Sequence, residues 1–236
     1  MAVMMKKKEL IAISFLLLLA SCSTDSDESD DDNFDASVVC PAEGTNAYGM
    51  PNRGTFIDER DGHEYKYTTI GDQVWMAENL RYIAPNSMCY DDNPGNCEIY
   101  GRLYSLNKDG NPDASIDENT MKTLCPKGWS LPTQADWENV IKNIGEGNDE
   151  YVANRLKSSL YWSRGENNEE TNICDFSALP TGVCWGLGNC SNITVNTSFW
   201  TSTVHSSSFV QSMALVSSGF NIGYSNKTLA IRCIKN

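Results

Sequence analysis

The chain has little histidine and lacks the cysteine spacing of common zinc sites. Its 236 residues include only two histidines, His63 and His205, and no two of its nine cysteines are separated by two residues. A zinc site built from thiolate and imidazole ligands is therefore not expected. Neither histidine lies in a Gly-x-Ser-x-Gly or other nucleophile context, and His63 flanks a predicted hairpin turn. These absences argue against zinc chemistry and against serine–histidine catalysis.

Basic residues are also few. Lys and Arg together number 18 against 31 Asp and Glu, which gives a formal net charge of −13. Beyond the N-terminal lysines the basic residues do not cluster, so the phosphate contacts that dominate nucleic-acid affinity are missing. The sequence therefore excludes DNA and RNA as partners.

A long apolar run is absent as well. The stretch 10–20 is apolar but too short for a membrane-spanning helix, which needs about 20 residues. Three lysines precede it and Leu19-Ala20-Ser21-Cys22 follows, which resembles the bacterial lipobox, where the cysteine is acylated and becomes the first residue of the mature chain. We expect a lipid anchor at Cys22, although an ordinary secretory signal cut nearby is the alternative.

An acidic segment follows Cys22. Seven Asp and Glu lie between Asp25 and Asp35 with almost no apolar residue, so this segment cannot offset the entropy of ordering. It is either a simple spacer or, by resemblance to Bacteroidetes-type lipoproteins, a signal for display on the outer surface of the outer membrane. The predicted organisation is a signal peptide over residues 1–21, a disordered tether over 22–38 and one folded domain over 39–236.

Eight cysteines remain after Cys22, an even number that in an exported chain predicts disulfides. Eight cysteines allow 105 pairings, but two pairs are close in sequence and are separated by loop residues. The predicted set is Cys89–Cys97 and Cys184–Cys190 as local bridges, with Cys125–Cys233, which would pin the last strand, and Cys40–Cys174.

The pattern of apolar residues predicts an α+β fold. A hairpin turn at Asp61-Gly62 and a second turn at Gly71-Asp72 separate three short strands. The sequence after Thr133 has an N-cap, helical spacing of apolar residues and a terminal glycine, and a weaker helix is predicted over 151–160. Residues 86–120 read as irregular, and strands return in the last sixty residues.

Six blocks of the sequence occur in the order found in one family. They are GDQVWMAENLRY, CEIYGRLYSLN, CPKGWSLPTQADWENVI, DFSALPTG, FWTST and NKTLAIRCIKN. Together they resemble the Fibrobacter succinogenes major paralogous domain over about residues 54–236. The resemblance implies a C-type lectin-like compact domain, related also to sulfatase-modifying factors, with small antiparallel sheets, about two helices and long loops. The segment GVCWGLGNC looks like an insertion in which Trp185 is exposed.

Within that framework, the other five tryptophans are expected to be mostly core residues, because large rings bury the most apolar area. They are Trp75, Trp129, Trp137, Trp162 and Trp200. The side chains of Glu78 and Asn79 in WMAENL are expected to form hydrogen bonds with neighbouring backbone groups where a strand ends. Contact with a ligand is the alternative. The reactive cysteine pair of sulfatase-modifying relatives is not expected, since all eight cysteines are assigned to bridges.

Calcium is a weaker prediction. In DGNPDASIDEN four oxygen-bearing residues alternate in a manner that suits a cation: Asp109, Asn111, Asp113 and Asp117. The run does not have the glycine at position 6 or the glutamate at position 12 of an EF-hand loop, so a plain acidic loop is the preferred interpretation and no cofactor is expected.

The C-terminal segment carries the functional expectation. Small polar residues alternate there with aromatics, which stack on sugar rings or supply rigid contact area. The candidates are His205, Ser207, Phe209, Gln211, Asn221 and Tyr224. We expect non-catalytic binding of a carbohydrate, with a protein-binding adhesin or structural surface component as the alternative. Some relatives are diversified by retroelements at this end, which would fit a variable receptor, and an ordinary solvated strand is the plainer interpretation.

Overall fold

The structure is a computed structural model that describes residues 34–163, 167–216 and 218–236. These residues belong to a compact unit that extends from Asn33 to Asn236. The predictions for the signal peptide, for Cys22 and for the tether before Phe34 lie outside the described residues. No helix in the described part of the chain has the length and apolar character needed to cross a membrane.

Helices and strands alternate irregularly along the chain. The helices in the described residues are α1 (Ala36–Val39), α2 (Pro94–Tyr100), α3 (Glu118–Thr123), α4 (Gln134–Gly145) and α5 (Asp149–Leu156). The strands are β1 (Arg53–Ile57), β2 (Glu64–Ile70), β3 (Gln73–Met76), β4 (Ser87–Met88), β5 (Leu103–Tyr104), β6 (Trp129–Ser130), β7 (Thr181–Trp185), β8 (Gly188–Ile193), β9 (Asn196–Val204), β10 (Val210–Val216), β11 (Gly219–Ser225) and β12 (Ile234–Lys235). This is an α+β domain with small sheets, as the sequence predicts.

Two five-stranded sheets form the framework. One has the order β1-β2-β3-β12-β6 and is antiparallel, and the other has the order β11-β10-β9-β7-β8. In the second sheet only the short contact between β7 and β9 is parallel. Strands β4 and β5 make a separate two-stranded ladder.

The first hairpin follows from its turn residues. Gly62 has a φ of 76°, a conformation that glycine adopts without steric cost, and its N–H donates to the Asp58 carbonyl. The Asp58 N–H in turn donates to the His63 carbonyl, which closes the turn between β1 and β2. The turn predicted at Asp61-Gly62 is confirmed.

Helix α4 begins at the predicted N-cap. The Thr133 side chain accepts from the Asp136 N–H, and the Asp136 carboxylate accepts from the Thr133 N–H, which makes a capping box. Its apolar face buries Trp137, Val140 and Ile144. The Trp137 ring lies 4.6 Å from Trp75 and 5.5 Å from Phe199, centroid to centroid, so the helix packs on an aromatic core.

Helix α5 ends earlier than the spacing of apolar residues predicts. It stops at Leu156, because Lys157 is extended and the Ser158 N–H donates to the Ala178 carbonyl. Leu160, which was expected on the buried face, is 61% exposed. A pairing with a distant segment has overridden the local helical preference.

The end of the chain also departs from the alternating strand that its sequence predicts. Only Ile234 and Lys235 join a sheet, and every residue from Thr228 to Ile234 is buried. Backbone hydrogen bonds tie this segment to Met76, Cys184 and Ser198, which belong to both five-stranded sheets. The segment runs through the interior, so no side of it faces water.

Disulfides join distant parts of the domain. The structure has Cys40–Cys174, Cys89–Cys97, Cys125–Cys233 and Cys184–Cys190, the four pairs named above. Cys184–Cys190 closes the hairpin of β7 and β8, at whose end Trp185 is 48% exposed. Cys125–Cys233 holds the interior C-terminal segment against the residues that follow α3.

Candidate functional site

Three of the predicted ligand-binding residues place aromatic rings on the surface near one end of the second sheet. His205 follows β9, Phe209 precedes β10 and Tyr224 lies near the end of β11. The His205 and Tyr224 rings are stacked, with centroids 3.6 Å apart and an angle of 20° between their planes. Tyr224 is 54% exposed and Phe209 is 39% exposed. We call these three residues the aromatic edge.

The loop that carries the aromatic edge is held by backbone bonds. The His205 and Ser206 N–H groups both donate to the Phe209 carbonyl, which closes the loop. The exposed Ser207 contributes its carbonyl to the Ile116 N–H at 2.8 Å, and the Asn107 side chain donates to the Ser208 carbonyl. The loop therefore has a defined shape before any ligand binds.

The remaining predicted residues divide between the two faces of the sheet. Gln211 is the direct partner of Tyr224 across β10 and β11, and its Oε1 is buried without a hydrogen-bond partner among the described residues. Asn221 is exposed but lies three positions before Tyr224, so strand alternation directs it to the opposite face. The sheet brings Gln211 to the aromatic edge and separates Asn221 from it.

The calcium candidates have local structural roles. Asp117 caps α3, with its carboxylate accepting from the Asn119 and Thr120 N–H groups, and the Asn111 side chain accepts from the Asp113 N–H. Hydrogen bonds from Thr120 and Asn119 also hold the pKa of Asp117 below its usual value. Within the described ranges, no group of three acidic, histidine or cysteine side chains is arranged to hold a metal ion.

A cleft of about 390 Å³ lies elsewhere on the domain. Its walls come from β2, the chain after β3, the end of α2, the segments 158–161 and 172–179, and the C-terminal segment. The side chains that give it its character are Lys66, Glu78, Arg81, Tyr100, Tyr161 and Arg232. Concave sites of this size with a few converging polar groups are typical of small-molecule binding.

Glu78 and Asn79 both line this cleft and both also tie backbone. The Glu78 carboxylate accepts from the Lys66 N–H at 2.8 Å and lies 3.6 Å from the Arg81 guanidinium. Asn79 donates to the Tyr100 carbonyl and accepts from Arg232, so its amide is fully engaged in the scaffold. The strand end at WMAENL is therefore both a structural junction and one wall of the cleft.

Arg232 forms the floor of the cleft. The side chain is inaccessible to solvent, and its guanidinium donates to Asn79 Oδ1 and to the carbonyls of Met76, Phe176 and Ser177. Burial lowers its pKa to about 9, while the charge of Glu78 acts in the opposite direction. Since 9 is well above neutrality, the cleft has a buried positive charge at physiological pH.

A family model described as the Fibrobacter succinogenes major domain matches residues 68–235. The chain belongs to this family. No curated protein and no solved structure gives a match to it. For this Fibrobacter succinogenes major domain, the relation to lectin-like folds therefore stays a prediction, whereas the α+β class is a feature of the structure.

Sequence reasoning did not find the cleft of this Fibrobacter succinogenes major domain. Its wall residues come from positions as distant in sequence as Lys66 and Arg232. Of these wall residues, the sequence pointed to ligand contact, as an alternative, only for Glu78 and Asn79. One signal was present: Arg232 stands among apolar residues in LAIRCIK, where a cation needs partners if the segment is buried.

Proposed function

We propose that this protein is a lipid-anchored outer-membrane protein, displayed on the cell surface, whose domain binds carbohydrate without catalysing a reaction. The lipobox-like sequence ending at Cys22 and the acidic run after it support anchoring and display. The membrane is then a partner through the lipid, and the shortage of basic residues argues against nucleic acid.

The aromatic edge carries the binding proposal. An exposed Tyr224 ring that is held in place by His205, with Phe209 beside the same loop, offers a rigid apolar platform. Sugar rings present apolar C–H faces and hydroxyl rims, so such a platform suits stacking while nearby polar groups receive the hydroxyls. Gln211, the direct partner of Tyr224 across β10 and β11, adds a polar side chain on the same face of the sheet.

The state of the cysteines supports binding over catalysis. All eight cysteines after Cys22 are in disulfides, so no free thiol is present in the described part of the chain for a reactive-cysteine mechanism. The two histidines are separate: the His63 ring is tilted against Tyr65 and its Nε2 lies 3.2 Å from the Arg81 guanidinium, whereas the His205 ring is stacked on Tyr224. The stacked His205 ring serves as contact surface.

A protein-binding adhesin is the second candidate, and one observation favours it. The disulfide-closed hairpin of β7 and β8 exposes Trp185 and Leu187, each nearly half accessible. Tryptophan is enriched among the residues that contribute most to protein–protein binding, so an exposed Trp185 on a disulfide-closed hairpin suits contact with another protein. If the folded protein bound no glycan, the protein-binding adhesin would become the favoured function.

The test is binding of the chain from Ser23 onward, with its disulfides formed, to a panel of polysaccharides and host glycans with and without a calcium chelator. We expect selective binding. Tyr224→Ala or Phe209→Ala should weaken it about tenfold, or about 1.4 kcal/mol, because each variant removes an aromatic contact surface. Asn221→Ala is the matched control, because it alters an exposed residue of the same strand on the opposite face. A silent panel with folded protein would refute the carbohydrate proposal.

Display on the surface has its own test. Protease treatment of intact cells should remove the domain if the anchor lies in the outer leaflet, and survival of the domain until the cells are lysed would contradict surface display. A Cys22→Ala variant should lose membrane association, since the lipid would have no attachment site.

A further inference from the structure

The cleft beneath Glu78 has a positive lining in an acidic protein. Lys66, Arg81 and Arg232 contribute cations, and among the described residues that line the cleft Glu78 is the only acidic one. The signal segment and the tether account for part of the charge of −13, and residues 36–236 alone carry a formal charge of −8. A concave region whose sign opposes that of the surrounding protein concentrates ligands of the complementary charge.

Arg232 is the unusual member of this lining. Buried cations are normally matched by a carboxylate, yet the ion pairs of the described residues do not include Arg232. Its partners are one amide oxygen and three backbone carbonyls, which solvate the guanidinium but leave its net charge in place. The floor of the cleft therefore retains a positive charge that a bound anion would balance.

An aromatic ring stands at the side of the same cleft. Tyr161 is about half exposed and contacts Tyr100 edge-on, with ring centroids 5.6 Å apart. Its φ is 70°, which is a rare conformation for a bulky residue. Strained residues of this kind cluster at binding sites, and Tyr161 lines the same cleft as Lys66, Arg81 and Arg232.

The charges also limit the kind of anion. Glu78 lies 3.6 Å from Arg81, so Glu78 would repel a doubly charged group such as a phosphate more strongly than a singly charged carboxylate as it approached the arginine. A single carboxylate matches one planar guanidinium by two parallel hydrogen bonds. The exposed tyrosine suits the apolar face of a sugar ring, and the cleft volume accommodates one or two such rings.

We propose that this cleft is a second binding site, distinct from the aromatic edge, that binds a carboxylated sugar of the uronic-acid class. The sugar ring lies against Tyr161, and the carboxylate is bound by Arg81 and Lys66 above the buried charge of Arg232.

The experiment compares oligomers of galacturonic acid with the matching neutral galactose oligomers by titration calorimetry, using the chain from Ser23 onward. We expect the acidic oligomers to bind at least about tenfold more tightly than the neutral ones, because the neutral sugar lacks the carboxylate, and hydrogen bonds to charged groups are stronger than those between neutral groups. Raising NaCl from about 50 to about 500 mM should weaken acidic binding, since salt screens exposed charges.

Two variants locate the site. Lys66→Gln, at an exposed position of β2, should weaken the acidic oligomer several-fold, and Tyr161→Ala should weaken it about tenfold. Lys122→Gln, which removes a highly exposed lysine from α3, and Tyr224→Ala, which alters the aromatic edge, should leave acidic binding unchanged. The two tyrosine variants also distinguish the two proposals. Loss of glycan binding in Tyr224→Ala, with acidic binding retained, tests the aromatic edge, and loss of acidic binding in Tyr161→Ala tests the cleft.

Three results would overturn the proposal: equal affinity for acidic and neutral oligomers, no binding of the acidic oligomers by folded protein, or loss of acidic binding through Tyr224→Ala in place of Tyr161→Ala. Thermal unfolding of each variant shows whether it is folded, and Lys66→Gln keeps the test informative if Tyr161→Ala does not fold.

Discussion

Three of the buried charged side chains in the described part of the chain are satisfied in different ways. Arg155 pairs with Glu146 and Glu170, each at 2.9 Å, and stacks on the Phe34 ring. Arg232 is solvated by neutral oxygens. Asp58 is paired with Arg60, whose guanidinium donates to both carboxylate oxygens. None of these arrangements can be derived from local sequence, except the last, whose partners are two residues apart.

Asp58 should make stability depend on acidity. Its burial alone would raise its pKa, but the hydrogen bonds and charge of Arg60 outweigh that effect and leave the pKa below its usual value. A carboxyl whose pKa is lower in the folded state stabilises the fold above its unfolded pKa of about 3.9 and loses that contribution as the pH falls through the folded pKa. Asp58→Asn should therefore be less stable than wild type at neutral pH, and the difference should shrink below about pH 4.

Urea unfolding at several pH values between about 7 and about 3 measures this effect. Glu59→Gln removes the neighbouring exposed carboxylate and should follow the wild-type curve. If the free energies of unfolding of Asp58→Asn and wild type stayed parallel across this range, the ion pair with Arg60 would not be the source of the dependence.

At the scale of elements, the sequence predicts what local signals determine. The hairpin at Gly62 and the start of α4 at Thr133 follow from turn and capping residues, and both are confirmed. The short helices α1, α2 and α3 were missed, because each is a single turn or two, stabilised by its cap and by packing more than by helical periodicity. The early end of α5 was missed because the chain after Leu156 forms a backbone hydrogen bond with a distant segment, from the Ser158 N–H to the Ala178 carbonyl.

Removal of the α4 cap should have a measurable cost. Thr133→Ala leaves the Asp136 N–H without its acceptor, so we expect a loss of about 1 kcal/mol in the free energy of unfolding. For a domain of this size that loss lowers the melting temperature by about 2–4 °C. Thr133→Ser keeps the hydroxyl and should retain most of the stability, whereas an equal loss in both variants would assign the effect to the lost methyl group.

For the whole molecule, the sequence was sufficient for fold class and composition of the core but not for the cleft. The rings of Trp75, Trp137 and Trp200 are buried as expected, because large apolar rings have few other places in a loop-rich domain. The cleft depends on where six separate segments meet, and the C-terminal segment, which runs through the interior, is one of them. An alternating pattern in LAIRCIK could not reveal it, since both of its sides are buried.

The same path through the interior makes the disulfides unequal. Cys125–Cys233 closes a loop with a sequence separation of 108, and Cys89–Cys97 closes one of 8. In the chain-entropy account, a longer closed loop restricts the unfolded chain more, which gives about 4.8 and about 2.5 kcal/mol at 25 °C. Replacing both cysteines by alanine should thus cost about 2 kcal/mol more for Cys125–Cys233.

Chemical unfolding of the two double-alanine variants, with the other bridges intact, measures this difference. The Cys184–Cys190 variant is the matched short-loop control, with a separation of 6, and should resemble Cys89–Cys97. Alanine avoids burying a new hydroxyl at Cys233, which is inaccessible to solvent. Equal losses for long and short loops would mean that native packing around each bridge, and not restriction of the unfolded chain, determines what these disulfides contribute.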